Sequence, residues 1–121
     1  MTKRLPKILS KFIKDDRADY DLIIEPDLMW FRGHFPDCPI LPGIVQLDWA
    51  LHLARDANLP APRSAQDFQV KYRAMVLPCM TVRLSIIANE NRGLFSFEYR
   101  NADQKFSSGT AHLAPRGIRH E

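Results

Sequence analysis

Cysteine is nearly absent from this chain of 121 residues: Cys38 and Cys79 stand far apart and form no Cys-x-x-Cys pair. That excludes a disulfide framework and a zinc ribbon, and it points to a reducing, cytoplasmic setting. No apolar run is long enough to span a bilayer, and no charged-apolar-small leader opens the chain. A soluble, unprocessed protein with no membrane contact is therefore expected. Linkers, repeats and low-complexity tracts are also lacking. The net charge is only +3, and it is uneven. Lys3, Arg4, Lys7, Lys11 and Lys14 precede an acidic stretch of Asp15, Asp16, Asp19, Asp21, Glu25 and Asp27. Without clustered arginines and aromatics this reads as a solvated surface, and no nucleic-acid partner is expected. At 45% hydrophobic residues, the length suits a single domain over 1–121 with one core.

What is present is concentrated in the run Gly33-His34-Phe35-Pro36-Asp37-Cys38-Pro39-Ile40-Leu41-Pro42-Gly43. Its three prolines each fix φ and bias the preceding residue towards extended geometry, so residues 34–42 should trace one rigid path rather than a helix. Such a loop can hold His34, whose unperturbed pKa lies near neutrality, as a general base. Pro42 suits the first turn of a helix, and Gly43 lets a ligand approach the backbone. Free N–H groups at this helix start could then polarise a carbonyl oxygen.

From Ile44 onward, Ile44, Val45, Leu47, Trp49, Ala50, Leu51, Leu53 and Ala54 cover nearly every direction, which predicts a helix buried on most sides. Its polar exceptions are Gln46, Asp48 and His52, followed by Arg55 and Asp56 where the helix should emerge; Asn58 and Leu59-Pro60 end it. A carboxylate in apolar surroundings has its charged form disfavoured, so Asp48 is expected to be able to donate a proton near neutral pH.

Beyond this helix, Phe68-Val70-Tyr72, Val82-Leu84-Ile86, Phe95-Phe97-Tyr99 and Phe106 to Leu113 alternate as half-buried strands, with turns at residues 91–93 and 101–104. The first residues are ambiguous. Leu5, Ile8, Leu9, Phe12 and Ile13 fit a helical stripe, and the same residues followed by Tyr20, Leu22 and Ile24 fit a hairpin.

The string GHFPDCPILPG, with a carboxylate fourteen positions after the His, resembles the active-site signature of the 3-hydroxyacyl-acyl-carrier-protein dehydratases of the hot-dog fold. The resemblance is strong over residues 28–55 and rests on strand pattern elsewhere. The Leu47-Asp48-Trp49 context and the short N-terminal segment are also similar to the dehydratases of aryl-polyene gene clusters. This family implies an α+β fold in which one curved antiparallel sheet wraps around one long buried helix. It favours the N-terminal hairpin, with strands near 7–14 and 18–25. It also implies a homodimer, or a higher multiple of dimers, in which His34 of one subunit and Asp48 of the other meet across the interface.

The implied chemistry is dehydration of (3R)-hydroxyacyl thioesters on acyl carrier protein to trans-2-enoyl thioesters. His34 would be the base, Asp48 the acid or the holder of the water, and the Gly43 N–H the oxyanion donor, with Phe35, Pro42 and Ile44 as substrate contacts. No cofactor is implied. His34, Cys38, Asp48 and His52 can be sketched as a metal site, but the apolar helix and the dehydratase frame explain these residues without metal. His52 reads as helix surface, Cys38 as variable loop and Trp49 as core or dimer packing. Two rival readings are a hot-dog acyl thioesterase and a catalytically silent dehydratase-like subunit.

Overall fold

The computed structural model describes residues 3–31, 40–63 and 67–113. Six strands, β1 (Lys7–Lys14), β2 (Arg17–Ile23), β3 (Gln69–Tyr72), β4 (Thr81–Asn89), β5 (Leu94–Arg100) and β6 (Lys105–His112), accompany one helix, α1 (Gly43–Asp56). They form one antiparallel sheet in the order β1-β2-β4-β5-β6-β3. The sheet is curved around the helix, as the family resemblance implied.

The first residues form a strand because β1 pairs with β2 from Lys7 opposite Ile23 to Lys14 opposite Arg17, so the helical stripe is not realised. β2 ends at Ile23 rather than near 25, where the backbone N–H and C=O of Ile24 switch to Met80 and Cys79.

Alternation sends Ala18, Tyr20, Leu22, Val82, Leu84, Ile86, Phe95, Phe97 and Tyr99 into the core. On β6 the matching positions are small: Ala111 opposes Phe95, Gly109 opposes Phe97 and Ser107 opposes Tyr99. Bulk on one strand thus fills the space left by its neighbour. Phe68 closes this aromatic row, its ring centroid 5.7 Å from that of Phe95 and 5.9 Å from that of Phe97.

The opposite sheet face is polar. Arg83 donates to both Asp21 carboxylate oxygens at 2.9 and 3.0 Å, and Arg17 is 2.8 Å from Asp19. Lys3 reaches Asp27 at 2.7 Å and Glu25 at 3.4 Å. Of the basic start seen in the sequence, Lys3 thus meets Glu25 and Asp27 of the acidic stretch, while Asp19 and Asp21 are met by Arg17 and Arg83. Among the described residues no helix is long and apolar enough to cross a membrane.

Candidate active site

α1 buries Val45, Gln46, Leu47, Trp49, Ala50, Leu51, Leu53 and Ala54 against the sheet. The indole N–H groups of Trp49 and Trp30 both donate to the Arg4 carbonyl, at 2.9 and 2.7 Å, so the N-terminal segment is tied across the helix. Trp49 is core packing, one of the two roles expected for it. The helix ends at Asp56, and Asn58 follows with φ +60°.

The helix is buried on most sides, as expected, and Ile44, Asp48, His52 and Arg55, spaced by four, four and three residues, form one exposed stripe. Two residues of that stripe correct the expectation. Ile44 is apolar yet 63% exposed. Asp48 is also exposed, so the apolar enclosure expected to favour its protonated form is not supplied by this chain's own residues. His52 lies on the surface as expected.

The start of α1 is open. Pro42 is the residue before the first helical position rather than part of the first turn, and no side chain caps the helix. Its carbonyl accepts from the N–H of Val45 at 3.1 Å and of Gln46 at 3.3 Å, whereas the N–H groups of Gly43 and Ile44 have no acceptor among the described residues. Gly43 is in close approach to Tyr72: a Cβ there would lie 2.5 to 2.8 Å from the far end of the ring, so the ring would have to move. Leu41 is fixed by its N–H to the Val76 carbonyl at 2.9 Å. Ile44 and Tyr72, both exposed, form an apolar rim at the helix start.

Beneath the rim lies a buried polar row that the sequence analysis missed. Ser107 donates to the Gln46 side-chain oxygen at 2.7 Å, Tyr99 donates to the Gln46 carbonyl at 2.6 Å, and the Gln46 amide nitrogen is 3.4 Å from the Leu41 carbonyl. Gln46 had been visible as a polar residue in an apolar helix. Its partners lie 53 and 61 positions away, and no sequence spacing reveals them. Burial pushes the Tyr99 phenol well above its ordinary value, and Asp48 and Tyr72 add to the effect.

Of the expected site residues, Gly43, Pro42, Ile44 and Asp48 are on one helix and its entry, while His34 and Phe35 lie outside the described residues, as does Cys38. Among the described residues no group of His, Cys, Asp and Glu could hold a metal ion, and Cys79 is a free, exposed thiol. A depression of about 480 Å³ sits elsewhere, on the polar sheet face, lined by Asp21, Thr81, Arg83, Arg100, Asn101 and Asp103. Its arginines are already matched, Arg83 by Asp21 and Arg100 by Glu98 and Ser85.

A curved six-stranded antiparallel sheet around one helix is the hot-dog fold. The chain belongs to the ApeI-like dehydratase family, whose model matches residues 10–110. It is similar to a chain of the dehydratase heterocomplex ApeI:P from Xenorhabdus doucetiae, at 36% identity and a TM-score of 0.78, covering 90% of this chain and 97% of that one. An uncharacterized protein from Erwinia carotovora subsp. atroseptica is 31% identical over 93% of this chain and 98% of that one, with a TM-score of 0.69. The dehydratase domain of PpsC from Mycobacterium tuberculosis, solved with C12:1-CoA, shares the fold. Its TM-score is 0.62 at 18% identity, covering 98% of this chain and 46% of that one.

Proposed function

We propose that this chain removes water from a (3R)-hydroxyacyl thioester carried on acyl carrier protein and releases the trans-2-enoyl thioester, in aryl-polyene or fatty-acid-like biosynthesis in the cytoplasm. The observation that carries the reading is the open helix start. Gly43 presents an N–H with no acceptor among the described residues, at the end of the Gly-His-Phe-Pro motif and on the same helix as Asp48.

Dehydration needs a base for the proton on C2, an acid for the hydroxyl on C3 and a donor for the charge that builds on the thioester oxygen. His34 takes the C2 proton, the C2–H electron pair becomes the C2=C3 double bond, and the C3–O bond breaks. The hydroxyl leaves as water with a proton from Asp48, and the Gly43 N–H holds the thioester oxygen meanwhile. Proton return from His34 to Asp48 through solvent resets the site. Pro42, Ile44 and Phe35 meet the substrate, and the apolar rim suits an acyl chain.

The whole 1–121 chain acts as one hot-dog domain. Its site is completed by a second copy, which covers the exposed stripe, desolvates Asp48 and brings His34 from the opposite side. Two observations support this: the exposed Ile44, and β3 at the end of the sheet with no further strand beside it among the described residues. Purified protein given a (3R)-hydroxyacyl thioester should build up the absorbance of a conjugated enoyl thioester. Release of free thiol without enoyl product would establish the thioesterase reading instead, and no reaction would establish the silent-subunit reading.

A further inference from the structure

Three hydroxyl-bearing residues stand side by side across the sheet opposite the first turn of α1. Tyr72 on β3 pairs with Ser107 on β6, and Ser107 pairs with Tyr99 on β5. Directly paired residues in a sheet project to the same face, so all three point towards the helix start. Two of the hydroxyls are consumed there, Tyr99 by the Gln46 carbonyl and Ser107 by the Gln46 side chain. The third tyrosine of the chain, Tyr20, is likewise satisfied by the Leu53 carbonyl at 3.0 Å.

Tyr72 alone among these four has a hydroxyl with no hydrogen-bond partner among the described residues. Its position is not arbitrary. The end of the ring and the hydroxyl press on Gly43, closely enough that any Cβ there would overlap them, while the side chain stays 52% exposed at the rim of the opening.

We propose that the Tyr72 hydroxyl is a second donor to the thioester oxygen, acting beside the Gly43 N–H and touching the substrate directly. This rests on the dehydratase reading of the same site. A tyrosine suits the task because its phenol is a neutral donor across the working pH range, and partial burial of Tyr72 raises its pKa further from that range. The Ser107–Gln46–Tyr99 bonds hold the sheet and the helix turn in register beneath it. The contact of the ring's end with Gly43 places the hydroxyl beside the helix start.

Tyr72→Phe separates these two contributions, since it keeps the ring on Gly43 and removes only the donor. The expected result is a fall in kcat of about 10- to 100-fold with KM changed less than about threefold and the melting temperature unaltered, the pattern of a donor used in the transition state. A trans-2-enoyl pantetheine thioester, isotope-labelled at the carbonyl, gives a readout independent of turnover. Its carbonyl stretch should shift to lower frequency on binding to the wild-type protein and shift less on binding to Tyr72→Phe. Equal kcat and equal carbonyl frequency in the two proteins would overturn the proposal and leave the dehydratase reading standing. A wild-type protein that shifts the carbonyl through Tyr72 but forms no enoyl product would overturn the dehydratase reading and keep the contact. Absence of binding to the wild-type protein would overturn both.

Discussion

Gly43→Ala tests the geometry of the helix start through two opposing effects. A Cβ at this position would sit 2.5 Å from the Tyr72 ring carbon that bears the hydroxyl and 2.8 Å from the hydroxyl itself, so the ring must move. Forcing a methyl into a tight contact costs about 1–3 kcal/mol in a closed core. Here the obstructing atoms are the far end of a half-exposed side chain, and the ring can swing outward, forfeiting contacts worth about 1 kcal/mol. Replacing Gly by Ala in a helix returns roughly 0.5–1 kcal/mol, with less at the first position than in the interior. The two nearly cancel, so unfolding free energy by urea titration should change by less than about 1 kcal/mol. Dehydration should behave differently. The methyl occupies the approach to the Gly43 N–H and displaces the Tyr72 hydroxyl, so turnover should drop on the order of 10²-fold. In a Tyr72→Ala background the same substitution should no longer cost stability, because the obstructing ring is gone. A Gly43→Ala protein with full turnover, or one that loses several kcal/mol, would refute this reasoning.

Two further predictions concern the scaffold. A Cβ at Gly109 would overlap the Phe97 ring, which is locked between Phe68 and Tyr99, so Gly109→Ala should cost about 1–3 kcal/mol. Phe97→Leu should remove most of that penalty, and strictly additive effects in urea unfolding would contradict the packing account. Arg83 bonded to Asp21, with Ser10 helping, holds that carboxyl at about 2, below its ordinary 3.8. The stability it supplies is therefore present above pH 3.8 and fades as the pH falls towards 2. Arg83→Met should destabilise only slightly at pH 6, because both groups are solvent-screened, and the difference should shrink as the pH falls through 2. A difference that grows on acidification would contradict the sign.

The strands were legible because period-two alternation is a direct consequence of burying one sheet face. Leu84 and Ile86, and Phe95, Phe97 and Tyr99, point inward as their spacing requires. The N-terminal strand was not legible from periodicity alone. Leu5, Ile8, Leu9, Phe12 and Ile13 are all exposed, so neither a helical nor a strand pattern of burial shaped them. The extent of α1 was clear, but its orientation was not. Hydrophobicity at Ile44 looks the same whether the residue enters this chain's core or stays outside it, and the structure leaves it 63% exposed. Asp48 lies on the same exposed stripe, where this chain's own residues do not enclose it. Tyr72, read as one beat of an alternating strand, and Gln46, read as a polar exception, gain their meaning only from contacts with residues far along the chain. Such contacts leave no local signal.

The central claim is that Gly43 and Asp48 of one chain work with His34 of another, and subunit complementation tests it most directly. His34→Ala and Asp48→Asn proteins, each inactive alone, are mixed under conditions that exchange subunits, and exchange is verified by mass spectrometry. Half of the dimers then hold one site with both substitutions and one with neither, so activity should return to about a quarter of the wild-type level. Verified exchange with activity no higher than that of the single variants would contradict the account.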